Sequence, residues 1–288
     1  MKTFSSYFRA FSRLSRLGLS MAIALSSFTG ALFYSHSLTA AAVYSFIGVF
    51  LLSSAASTLN QYQERDLDKL MSRTRTRPIP TGQISPKDAL LLALILTALG
   101  ASILYWETSF IPMILGLFNM AWYNLVYTPL KRRTSFALLA GSVNGAIPPM
   151  IGWTAAGGQV TDWQIVLIAS FMFIWQIPHF WLLSIRYAED YRLGKIPSFN
   201  LLADKSLVNP ILFIWVLCTA LCTMLFPLLG LITSPKLAIA LMLIDISVIS
   251  YFAMIVFNKK IFKPRAAFLV LTGFQTIIFI LLIFEASL

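Results

Sequence analysis

The sequence predicts an all-α, polytopic membrane protein, and three observations predict it: composition, apolar segment length, and the sorting of basic residues. Of 288 residues, 58% are hydrophobic and only 11% charged, with a mean hydropathy of +0.78. A soluble domain carries about 25% charged residues. Nine mostly apolar segments follow one another at 17–35, 39–59, 89–106, 109–127, 136–156, 163–185, 208–230, 236–257 and 267–285. Each is long enough to cross a hydrocarbon core of about 30 Å as a helix. With alternate loops on alternate sides, Lys236 alone of the 22 Lys and Arg residues falls on one side. Basic loops mark the cytoplasmic face, so nine transmembrane helices are expected, with the N-terminus inside and the C-terminus outside.

The nine segments leave no length for a soluble domain, so residues 1–288 read as a single membrane domain with a short cytoplasmic arm at 1–16. The net charge of +11 would suit nucleic acid, but its confinement to short inner loops points to membrane topology instead, and no nucleic-acid partner is expected. The first segment follows an Arg-bearing stretch but has no small-residue cleavage site, and eight more segments follow, so it reads as a span. The arm is too short for a clear presequence, which points to a bacterial plasma membrane. Cys218 and Cys222 lie one helical turn apart in the seventh segment and read as packing residues.

Polar residues concentrate in two inner loops. The first contains Asn60, Glu64 and Asp68 at four-residue steps, followed by Lys69, Arg73, Arg75 and Arg77 and then Pro78-Ile-Pro-Thr-Gly82. If the second helix continues through them, the three oxygen-bearing side chains stack on one face with a drift of about 40° per step. Hard oxygens in a row suit Mg²⁺, which completes its shell with water and substrate phosphate. Arginines downstream suit phosphate oxygens. Asp66, two residues from Glu64, should point elsewhere. The second loop runs from Arg186 and Tyr187 through Glu189 and Asp190 to Pro197.

Two further elements allow more than one reading. Tyr127 and Lys131 share a face only if Pro129 leaves the helix intact; otherwise they are an interfacial tyrosine and an inner-loop lysine. His179, in the stretch Trp175-Gln-Ile-Pro-His179-Phe-Trp181, lies about two turns inside the sixth segment. It could ligate a metal centre, orient a substrate or bond to a neighbouring helix. Asp245, inside the eighth segment, has no assignable role from sequence.

Asn60-x3-Glu64-x3-Asp68 with Arg-Thr-Arg-Thr-Arg-Pro-Ile-Pro-Thr-Gly resembles the first signature of the intramembrane prenyltransferases that build quinones, chlorophylls and haem O. Tyr127-x3-Lys131 is similar to that family's next element. Asn-Gln-Tyr-x-Glu-Arg-Asp-x-Asp at 60–68, Ile-Pro-Pro-Met-Ile-Gly-Trp at 147–153, and Pro-His-Phe-Trp with Tyr-x-x-Asp-Tyr at 178–191 are most similar to the haem-farnesylating branch. The resemblance runs from about residue 20 to the last segment. It implies helices around a central cavity open to the cytoplasm, and transfer of farnesyl from farnesyl diphosphate to a vinyl group of haem b, giving haem O. It implies Mg²⁺ on Asn60, Glu64, Asp68 and Asp190, with Glu189 near Asp190. Lys131, Tyr127, Arg73, Arg75 and Arg77 would grip the diphosphate, and His179 would serve the haem. Quinone-type members carry an acid where this chain has Arg186, so a second Mg²⁺ is expected to be weak or absent. Arg186, with Tyr187 beside it, would then contact the diphosphate or a haem propionate. The rival expectations are an aromatic prenyltransferase of quinone biosynthesis and a transporter without chemistry. Whether a downstream haem-modifying enzyme docks on the protein is left open by the sequence.

Overall fold

The computed structural model describes residues 4–198, 205–258 and 262–288, all helix, turn or loop and without a strand. Three of the inner-loop lysines, Lys2, Lys259 and Lys260, lie outside the described residues. Helix α1 (Phe4–Leu14) is a short arm, and α2 (Leu17–Ser35) and α3 (Ala40–Gln63) follow. A short α4 (Arg65–Asp68) leads into a loop and then α5 (Pro86–Glu107). Helix α6 (Phe110–Ala121) passes into a π-helical turn at Trp122–Tyr127 and a last turn, α7 (Thr128–Leu130). Helices α8 (Ala137–Ala155), α9 (Trp163–Arg186) and the short α10 (Ala188–Leu193) come next. Helices α11 (Lys205–Leu228), α12 (Pro235–Phe257) and α13 (Pro264–Ala286) complete the bundle. Among the described residues, eight helices are long and apolar enough to cross a membrane. The remaining expected span, 136–156, forms α8, in which Ser142, Asn144, Pro148 and Pro149 lower the hydropathy.

Local chemistry sets the helix starts. Ser85 accepts a hydrogen bond from Asp88 N at 3.1 Å with Pro86 in the first turn, and Thr39 accepts from Ala42 N at 3.3 Å. Both side chains satisfy backbone donors that a helix start leaves free. Between helices in lipid, apolar burial supplies little drive, so close backbone approach and interhelical hydrogen bonds hold the bundle. The α2–α8 crossing shows this. A Cβ on Gly30 would collide with the Pro149 carbonyl, and one on Gly152 with the Ser27 carbonyl. Helix α8 also packs on α6 and α9, while α9 meets α11 and α13, and α13 returns to α2. Phe171, Phe226 and Phe274 meet edge to face where α9, α11 and α13 join.

Inside the spans, Thr223 of α11 donates to Asp245 Oδ1 of α12 at 2.8 Å, both fully buried, so Asp245 ties two helices together. Cys222 is buried and Cys218 half-buried, and both thiols are free, as packing residues would be.

Candidate active site

The first signature forms at the end of the bundle where α3 and α9 terminate. Helix α3 does not run unbroken through the three oxygen ligands: it stops at Gln63, and Glu64 adopts φ −102° and ψ 8° before α4. The expected shared face nevertheless survives. Glu64 N donates to Asn60 O at 2.9 Å and Asp68 N to Glu64 O at 2.8 Å, so the four-residue ladder bridges the break. Asn60 and Asp68 are fully buried and Glu64 is 2% exposed. Asp66 points outward and pairs with Lys69 at 2.9 Å, which holds its carboxyl below the usual range.

Each buried acid meets a cation from another element. Arg77 Nη1 donates to both Asp68 oxygens at 2.7 Å, and Lys131 Nζ donates to Glu64 Oε2 at 2.7 Å. Arg132 approaches Glu64 Oε1 at 3.9 Å. Lys131 reaches Glu64 because the chain stays helical across Pro129: Lys131 N bonds to Tyr127 O at 3.0 Å. The π-helical turn absorbs the proline, and the Lys131 ammonium sits 5.6 Å from the Tyr127 ring centre. Asn60 Nδ2 donates to Thr128 Oγ1 at 3.1 Å. Burial and then the charge of Arg16 pull the Arg77 guanidinium below the usual arginine range, while Asp68 opposes them.

Arg73 and Arg186 flank the Tyr187 ring at 4.8 Å and 5.1 Å, a cation–π pair that joins the two polar loops. Asp190, 7% exposed, accepts from the backbone N–H of Ser72 at 2.7 Å and anchors the arginine loop. Glu189 does not face the site with Asp190. It turns outward and is gripped by Arg192 at 2.6 and 2.9 Å, which lowers its pKa. Arg75 is exposed on the same loop. Beside these groups a cleft is lined by Tyr127, Lys131, Leu138, Phe180, Trp181 and Tyr191. Tyr191 stays a neutral phenol, its pKa raised by burial.

His179 is not brought to the acid–cation cluster. Its ring packs 4.5 Å from Trp175 and 4.6 Å from Phe268, on the side of α9 that meets α13. Its Nδ1 is buried with no hydrogen-bond partner among the described residues.

Among the described residues no three His, Cys, Asp or Glu side chains gather as a ready metal cluster. Asn60 Oδ1 and Glu64 Oε1 are nevertheless buried and lack a hydrogen-bond partner among the described residues. Buried oxygens without partners are uncommon, and hard oxygens beside a carboxylate fit Mg²⁺ whose remaining shell comes from substrate and water.

Residues 19–282 match the description "UbiA prenyltransferase family". The chain belongs to the UbiA prenyltransferase family. It is similar to a protoheme IX farnesyltransferase of Geobacter sulfurreducens, 46% identical over 192 residues that cover 66% of this chain and 70% of that protein. It is also 34% identical over 247 residues to one from Nitratidesulfovibrio vulgaris, covering 86% of each. Its fold is similar to that of a digeranylgeranylglyceryl phosphate synthase (TM-score 0.80, 16% identity, 97% and 98% covered). A UbiA homologue from Archaeoglobus fulgidus bound to GPP and Mg²⁺ superposes with a TM-score of 0.68 at 17% identity, covering 96% and 99%. As a UbiA prenyltransferase, the chain is an enzyme of a multi-pass membrane family.

Sequence patterning misses one neighbour of this UbiA site. Arg16 reads there only as an inner-loop charge, yet the chain around it is pinned to α3. Gln61 donates to Arg13 O at 2.9 Å and Leu14 O at 2.7 Å, and Arg13 donates to Thr76 Oγ1 at 3.1 Å. Arg16 itself adopts φ 47° and ψ 52°, a left-handed backbone rare outside glycine. No sequence pattern announces that the charge of Arg16 acts on Arg77, because 61 residues of chain separate the two and only the tertiary fold brings that charge near.

Proposed function

We propose that this UbiA prenyltransferase transfers the farnesyl group of farnesyl diphosphate to a vinyl group of haem b, making haem O. The observation that carries the proposal is the pair of buried acids, Glu64 and Asp68, each held at 2.7 Å by a cation suited to phosphate. The relatives named protoheme IX farnesyltransferase support the choice of acceptor. Within this reading Asn60, Glu64 and Asp68 hold Mg²⁺. Asp190 anchors the arginine loop, and with Arg186 in place of an acid its other oxygen would hold a second ion weakly or not at all. Bound Mg²⁺ would supply positive charge against the diphosphate oxygens.

The chain's own residues do the rest. Lys131 and Arg77, half-buried, meet the charge that grows on the leaving diphosphate where each contact counts for more than in water, and Arg73 and Arg75 add positive charge from the exposed loop. Arg186 and Tyr187 brace Arg73 and face the second substrate. Tyr127 and Phe180, stacked at 6.0 Å beside the cleft, keep water from the allylic cation and stabilise it through their ring faces. His179, with its unpartnered Nδ1 between aromatic rings, serves the haem.

The same reading takes 1–288 as one domain with nine spans, the N-terminus inside, and the site facing the cytoplasm of a bacterial plasma membrane. The basic inner loops support that orientation. The test is turnover of purified protein in detergent with haem b, farnesyl diphosphate and Mg²⁺, read by mass spectrometry. Haem O from the wild type and none from Asp68→Ala is the expected result. Prenylation of a phenolic acceptor with haem untouched would overturn the substrate assignment.

A further inference from the structure

Lys131 reaches Glu64 because the helix that carries it changes register on the way. Across Trp122–Tyr127 the backbone closes in five-residue steps, with Thr128 N–H bonding to Tyr123 O, where an α-helix would close in four. Such a turn inserts one residue, and each residue of an α-helix advances about 100° round the axis. An uninterrupted helix would bring Leu130 to the place that Lys131 takes, and would carry the ammonium about 100° away from Glu64. Pro129 disturbs the α-helical register but does not select this one, since a proline equally kinks or ends a helix.

The turn leaves one backbone group without a helical partner. Thr128 N–H, the α-helical donor to the Asn124 carbonyl, is taken by Tyr123 O. The donor one residue further on would be Pro129, which has no N–H. Gln63, at the end of α3, supplies the missing donor: its Nε2 donates to Asn124 O at 3.2 Å. Asn124, 2% exposed, answers through Nδ2, which donates to Gln63 Oε1 at 3.2 Å and to Ala56 O at 3.1 Å. One turn on, Asn60 Nδ2 donates to Thr128 Oγ1 at 3.1 Å, and that hydroxyl donates to Tyr123 O at 2.8 Å. The row ends with Lys131 on Glu64 and Arg132 on Gln63 O. Ala56, Asn60 and Glu64 stand four apart on α3 and meet Asn124, Thr128 and Lys131 in turn. The face of α3 that carries the Asn60 and Glu64 oxygens is thus stitched to the turn that aims Lys131.

We propose that Gln63 and Asn124 are positioning residues whose amide pair holds the π-helical register and so aims Lys131 at Glu64 and at the diphosphate. Neither side chain touches a reacting atom. Slipping to the α-helical register would part Asn60 from Thr128 and Gln63 from the Asn124 carbonyl, and buried polar groups left unpaired are costly. The inference rests on the diphosphate role given to Lys131 in the function proposed above, and not on the identity of the acceptor.

The test is the affinity of full-length protein in detergent for farnesyl diphosphate with Mg²⁺, read by titration calorimetry in the absence of haem. Asn124→Leu should weaken binding about tenfold, the scale of one or two lost hydrogen bonds. Gln63→Met, half-buried at the end of α3, should weaken it by about threefold or more, and carries the test if Asn124→Leu does not fold. A variant that merely folds less well lowers the number of binding sites and leaves the affinity of the folded fraction unchanged. Lys131→Met should weaken binding at least as much, and adding Asn124→Leu or Gln63→Met to it should weaken it no further, because the register then aims nothing. Wild-type affinity in both amide variants, with Lys131→Met weakened, would overturn the inference alone, since Pro129 would then hold the turn unaided. Losses that simply add to that of Lys131→Met would overturn it too. Wild-type affinity in Lys131→Met would remove Lys131 from the diphosphate site, and both that part of the proposed function and this inference would fall.

Discussion

Arg77 donates to both oxygens of Asp68 at 2.7 Å, while the neighbouring acid, Glu64, is held by Lys131 at the same distance. The site is therefore self-neutralised: the acids expected to hold a metal are paired with the cations expected to hold phosphate. In the proposed function, substrate binding would exchange these partners, with the acids turning to Mg²⁺ and the cations to the diphosphate.

The exchange predicts that removing one partner harms stability more than removing both. Arg77→Ala leaves a fully buried carboxylate unpaired and should destabilise by about 3 kcal/mol, whereas Asp68→Ala with Arg77→Ala should recover much of that loss. Thermal unfolding in detergent checks this, and simple additivity of the two single changes would count against it.

Metal dependence should follow the oxygen face. Chelation of Mg²⁺ should abolish turnover. Glu64→Gln and Asn60→Ala should raise the Mg²⁺ concentration for half-maximal activity by about tenfold or more. Asp66→Asn, on the exposed side of the same turn, should leave that titration unchanged.

Asp190 separates anchoring from metal binding. Asp190→Asn keeps an oxygen for Ser72 N–H and should retain most activity if anchoring dominates. Asp190→Ala leaves that donor unmet and should lower kcat/KM by about 10- to 100-fold. Equal losses in both variants would favour direct metal ligation.

Asp245 should matter for stability and not for chemistry. Thr223→Val removes the hydrogen bond to Asp245 Oδ1 and should cost about 0.6 kcal/mol, the usual scale for such bonds between membrane helices. Thermal unfolding should register the loss while kcat and KM stay as in wild type.

Much of the site is visible in the sequence because its first signature is local. Asn60, Glu64 and Asp68 stack through backbone bonds four residues apart, and that spacing is a property of the chain itself, even across the break at Glu64. Tyr127 and Lys131 meet for the same reason, once the π-helical turn absorbs Pro129. Glu189 and His179 are harder to place. Glu189 adjoins Asp190 in the chain, so it reads as a second site acid; its direction is decided by Arg192, three residues on, which draws it outward. The surroundings of His179 depend on Phe268, which a different helix brings to it.

The sequence by itself determined the helical spans, the side of the membrane its charges favour, and the oxygen face of the first signature. All three follow from hydrophobic length, loop charge and helical period, which act within one segment. Only the tertiary structure decided that Arg77 meets Asp68, that Asp190 anchors Ser72, that Arg16 stands near Arg77, and that His179 packs on Phe268. Those relations depend on how closely helices cross and where each loop returns. Contacts such as Gly30 on Pro149 set these, and no periodicity encodes them.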